Sequence, residues 1–108
     1  MFVVEMVLRL GSNGSRLTDD EITDFIEMLV DSLDELEVTP SVGSRRVGDE
    51  VDLTIGVLLD EVDQFEALRQ GAAIIRGALL AVIRSGAARQ VMAHDDPLTS
   101  SVRILQTV

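Results

Sequence analysis

The sequence predicts an α+β domain in which an antiparallel sheet carries two helices on one face. Three observations predict it. Apolar residues alternate with period two over 2–10 and 50–59. They recur with a helical period over 19–36 and 62–84. The segments then follow the order strand, helix, strand, strand, helix, strand, with room for one extra short strand near the end. At 108 residues the chain reads as a single domain, 1–108, long enough to bury roughly two-thirds of the unfolded surface.

The first strand, Phe2 to Leu10, places Phe2, Val4, Met6, Leu8 and Leu10 on one face and Val3, Glu5, Val7 and Arg9 on the other. Gly11 to Arg16 reads as a connector. It lacks the Gly-Lys-Ser/Thr ending of a phosphate loop, and Asp19, Asp20 and Glu21 would repel an anion from the helix that follows. Thr18 and Glu21 form a capping-box pair, which starts the first helix at about residue 19. Its apolar stripe is Ile22, Phe25, Ile26, Leu29, Val30, Leu33 and Leu36. The opposite face, from Asp20 through Asp24, Glu27, Asp31 and Asp34 to Glu35, is acidic and has no convergent loop for a cation.

Residues 37–47 read as an extended segment at a sheet edge, because Pro40 has no N–H to give to a central ladder. Gly48-Asp49 is a two-residue hairpin turn, and Glu50 to Leu59 is the next strand. Arg45 and Arg46 near the hairpin tip are candidate contacts for a carboxylate or phosphate ligand, since guanidinium groups form bidentate forks. Their bland role is to guard the edge.

The second helix, Val62 to Arg84, is too apolar for an ordinary surface helix. Its expected core stripe is Phe65, Leu68, Ala72, Ile75, Leu79, Val82 and Ile83. Ala73, Gly77 and Ala81, spaced four apart with Ile74 beside them, form a second ridge of small side chains. Either another part of the chain covers that ridge or a second copy does, and so short a chain has few elements to spare. These four residues are the candidate self-association surface. Arg69, Arg76 and Arg84 interrupt the apolar run short of the roughly 20 residues a span needs, so membrane insertion of this helix is not expected.

Gly86 is the expected cap of the long helix. A short strand is expected around Gln90 to His94, a turn at Asp95-Asp96-Pro97, and a last strand from Val102. His94 is the sole histidine, and its neighbours Asp95 and Asp96 make it a candidate ligand or partner contact. Consecutive side chains diverge, however, and no second His or Cys completes a zinc site.

This order of elements is the split βαβ plan of ferredoxin-like domains. That plan hosts many unrelated activities and licenses none of them. It leaves one sheet face open, carrying Val3, Val7, Thr54, Leu58 and Leu105, which is too apolar to stay comfortably wet.

Composition narrows the function further. The chain has no Cys, Trp or Tyr, and its net charge is −10. Thiolate chemistry, aromatic ligand cages, nucleic acid and anionic membranes are therefore not expected. The segment MFVVEMVLRL lacks a basic leader, and Glu5 breaks its apolar run, so a cytoplasmic protein is expected. No catalytic, cofactor or metal residues are assigned. The reading is a small acidic, non-enzymatic homo-oligomer (a homodimer or higher) that acts as an adaptor, regulator or assembly component. Two other readings stand beside it. One is a ligand-binding or catalytic dimer with a pocket between sheet faces, lined from Glu5, Arg45, Arg46 and His94. The other is a binder that offers its acidic helix to a basic protein partner.

Overall fold

The computed structural model describes residues 2–12, 16–60, 63–85, 91–93 and 102–106. Its elements are β1 (Phe2–Ser12), α1 (Asp19–Glu35), β2 (Thr39–Val47), β3 (Glu50–Leu59), α2 (Gln64–Arg84), β4 (Val91–Ala93) and β5 (Val102–Gln106). The strands form one antiparallel sheet in the order β2-β3-β1-β4, with β5 also paired to β1. The class is α+β, an antiparallel sheet with two helices. β5 pairs with Phe2 to Met6 and β4 with Leu10 to Ser12. Gly11 and Ser12 therefore extend β1 instead of opening the connector, because Met92 and Val91 supply their ladder partners.

Alternation along the strands sets the core. Val4, Met6, Leu8 and Leu10 of β1 are buried with Val51, Leu53, Ile55, Val57 and Leu59 of β3. Ile22, Phe25, Leu29 and Leu33 of α1 and Ile75, Leu79 and Val82 of α2 join the same cluster. The two helices also pack against each other.

The start of α1 follows from its cap. The Thr18 hydroxyl accepts from the Glu21 N–H at 3.2 Å, and the Glu21 carboxylate accepts from the Thr18 N–H at 3.0 Å. At the other end Leu36, expected in the stripe, is the C-cap and is 50% exposed. The chain leaves through Glu37, whose φ of 60° is left-handed, while its N–H donates to the Asp34 carbonyl at 3.0 Å. A side chain there costs about 1–2 kcal/mol, whereas glycine gives back about 0.4–1 kcal/mol through the unfolded state. Glu37→Gly is therefore expected to stabilise the domain by roughly 0.5 kcal/mol, read as a higher urea midpoint at unchanged m-value.

The hairpin forms as its turn chemistry requires. Pro40 lies in β2 at the sheet edge, Gly48 has φ of 63°, and Val47 pairs with Glu50.

α2 starts at Gln64, two residues later than expected, because Asp63 is its N-cap and accepts from the Phe65 N–H at 3.0 Å. Its buried face also differs. Phe65 is 81% exposed and Ile83 is 37% exposed, while Ala67, Gly71, Ile75, Ala78, Leu79 and Val82 face the core. At 100° per residue this is a rotation of roughly 60° from the expected stripe. The cause is volume. A Cβ on Gly71 would lie 2.5–2.6 Å from Cβ and both Cγ atoms of Val4, so only glycine lets α2 sit this close to β1. The helix ends at Ser85, whose N–H donates to the Ala81 carbonyl at 3.1 Å. Gly86, expected as the cap, lies outside the described residues.

Candidate interaction surface

Rotating α2 to bury Ala67, Gly71 and Ala78 turns a second set of small residues outward. Ala73, Gly77 and Ala81 are exposed, and a Cβ built on Gly77 meets nothing within 4 Å. With Ile74 and Ala78 they form one wall of an open groove of about 450 Å³. Ser32, Glu35 and Leu36, at the end of α1, form the other wall. The four residues named from the sequence are thus brought together. Leu36 and Phe65 were assigned to the core there and are instead exposed apolar groups.

The charges along α2 are ordered. Glu66 accepts from Arg69 and from Gln70 Nε2, the latter at 3.0 Å. The Arg69 hydrogen bond is the larger cause, and the Gln70 hydrogen bond the next, that holds the Glu66 carboxyl down to about 2 from its ordinary 4.5. A depressed carboxylate pKa stabilises the fold above the unfolded value, and that contribution is lost as pH falls through the folded value. Glu66 should therefore contribute fully above pH 4.5 and progressively less down to about pH 2. Melts of the native protein and Glu66→Gln across that window should converge at the acid end.

Arg45 and Arg46 are placed on opposite faces of β2. Successive strand residues point to opposite faces, and the register sets Arg45 opposite Asp52 and Arg46 opposite Val51. Asp52 accepts from Arg9 Nε at 2.8 Å. That hydrogen bond, and then the charges of Arg9 and Arg45, lower its carboxyl below the ordinary range. Arg46 turns towards its own chain, where Nη2 donates to the Leu17 carbonyl at 2.8 Å and to Asp19 Oδ1 at 2.9 Å. Its Nη1 is buried without a hydrogen-bond partner. His94 lies outside the described residues.

The open sheet face carries Val3 opposite Leu58 and Leu105, Glu5 opposite Gly56 and Arg103, and Val7 opposite Thr54. Glu5 is paired with Arg103, and Val7 is 47% exposed. Among the described residues no group of three or more His, Cys, Asp or Glu is placed to hold a metal ion. No helix among them is long and apolar enough to cross a membrane.

No family model and no curated protein matches the chain. Among solved structures, the de novo designed protein Foldit4 is similar at 16% identity and a TM-score of 0.48, over 99% of this chain and 96% of that one.

Proposed function

We propose that this chain is a small acidic interaction module, not an enzyme, that works as a homo-oligomer through the outer face of α2. The observation that carries this reading is the open groove beside Gly77, where Ala73, Ile74 and Ala81 meet Leu36 with nothing of the described chain laid over them. Burying that apolar surface against another copy removes it from water at about 25 cal/mol per Å², and small side chains let two backbones approach closely. In detail the domain is ferredoxin-like. α1 and α2 serve as the crossovers of two interleaved βαβ units, and β5 with β4 forms the edge beside β1. A cytoplasmic setting suits a chain without cysteine.

Solution mass by light scattering tests the assembly. The native protein is expected to exceed monomer mass, and Gly77→Leu to return it to monomer. Leucine is the better helix former by roughly 0.8 kcal/mol and projects into open space, so folding is not at risk. A monomeric native protein would refute the reading. A second reading, favoured by the exposure of Val7, places the partner copy on the open sheet face. In that case Gly77→Leu leaves the mass unchanged and Val7→Glu lowers it.

A further inference from the structure

The groove beside α2 has unlike walls, and each suits the other. One wall is the end of α1, with Ser32, Glu35 and the half-exposed Leu36. The other is the ridge of Ala73, Gly77 and Ala81, where a Cβ on Gly77 would meet nothing within 4 Å. A projecting apolar side chain thus stands across from a strip too small to fill the space before it. Within one copy the groove keeps the two apart. A two-fold axis laid along the groove exchanges its walls, so each Leu36 is set on the other copy's ridge at its own height.

Charge selects the same axis. α1 carries eight carboxylates and no basic residue. In α2, Glu66 is paired with Arg69 of its own helix. Arg76 and Arg84 remain as the net charge of +2, three arginines against one glutamate. Arg76 lies three residues from Ala73 and Arg84 three from Ala81, so both border the ridge. Two copies can bring their helix pairs face to face in two ways. An axis across the helices sets α1 on α1, which brings two sets of eight carboxylates together. An axis along them sets α1 of each copy on α2 of the other, acid against base.

We propose, building on the assembly reading above, that the partner is a second copy related by a two-fold axis along the groove, with α1 of each copy lying over α2 of the other. Leu36 of each copy then fills the space above Ala73 and Gly77 of the other. Glu35, with Asp31 one turn before it, faces the other copy's Arg76. The leucine of Gly77→Leu would take the place that Leu36 of the other copy fills, which is why that change is expected to break the assembly.

The chain has no cysteine, so thiols placed in the groove report which walls meet. Leu36→Cys and Gly77→Cys are made separately, and melting curves confirm that each is folded. At concentrations where the native protein is dimeric, neither should give a covalent dimer alone on mild oxidation. Like positions stay apart by the width of the groove, roughly the 8–10 Å between packed helices, which a disulfide does not span. An equimolar mixture should form a disulfide-linked dimer of one variant with the other. Keeping the two thiols on separate copies avoids a bond across the groove of one chain. Leu36→Ala removes two half-exposed leucines per dimer and should weaken dimerisation by roughly tenfold. If the native protein dimerises but either cysteine variant links to itself, or the mixture forms no link, this pairing is overturned while the assembly reading stands. Leu36→Ala dimerising as tightly as the native protein overturns it likewise. A native protein that stays monomeric up to high concentration overturns both.

Discussion

Replacing Gly71 by alanine is expected to destabilise the domain by about 2 kcal/mol, although alanine is the better helix former by roughly 0.8 kcal/mol. The reason lies across the interface with β1. The added methyl would lie 2.5–2.6 Å from three atoms of Val4, inside the contact distance of any carbon pair. One of those atoms is the Val4 Cβ, which cannot rotate away, so helix and strand must separate. Their separation loosens the buried set around Val4, Ile75 and Leu79. For a domain of about 100 residues this corresponds to a fall in Tm of about 8 °C. Val4→Ala clears the two Cγ atoms and leaves the Cβ, so a double-mutant cycle should show a coupling of about 1 kcal/mol. Gly77→Ala is the control on the same helix. Nothing lies within 4 Å of its new methyl, so the isolated fold should gain roughly 0.8 kcal/mol. Equal effects at the two glycines would mean that α2 does not sit on β1 through Gly71.

That contrast marks where the sequence is readable. α1 was legible because its signals are local: a capping box at Thr18 and Glu21, then a stripe bounded by carboxylates. The β2–β3 hairpin was legible because Pro40 restricts it to an edge and Gly48 supplies the turn. The buried face of α2 was not legible. Hydrophobicity alone ranks Phe65 and Ile83 as core residues, whereas the packing over Val4 selects for small volume at Ala67, Gly71 and Ala78. The signal was present, since three small residues of α2 (Ala67, Gly71 and Ala78) lie on one face and three (Ala73, Gly77 and Ala81) on another, but nothing in a single helix says which face meets the sheet. The ridge at Ala73, Gly77 and Ala81 was found for its spacing, and the structure adds Leu36 as the opposite wall of its groove. The bond that Arg46 makes within its own chain is not legible in the sequence for a related reason. Arg45 and Arg46 carry the same charge at the hairpin tip, but a strand divides adjacent residues between two faces, and Arg46 is the one whose guanidinium donates to the Leu17 carbonyl.

Arg46→Ala is expected to destabilise the domain by about 2–3 kcal/mol, and three companion variants divide that loss. The guanidinium ties the edge strand β2 to the segment that enters α1, through the Leu17 carbonyl and Asp19. A hydrogen bond from a charged donor contributes about 1.5–3 kcal/mol. The bond to Asp19 should supply little of it, because that carboxylate is 95% exposed and water screens the pair. Asp19→Asn should therefore cost less than about 0.5 kcal/mol. Against the gain stands Nη1, buried without a partner, and an unsatisfied donor of that kind costs about 1–3 kcal/mol. Arg46→Met removes both the bond and the orphan while keeping a stem beside Ile22 and Val51, so its net cost should be near 1 kcal/mol. The gap between the methionine and alanine variants then measures stem packing. Arg46→Lys retains the charge but not the planar fork that reaches Leu17, and should fall with methionine rather than with the native protein. Urea unfolding of the four variants reads these differences directly. If Arg46→Ala is as stable as the native protein, the guanidinium is not fastening β2 to α1, and it becomes available for a ligand after all.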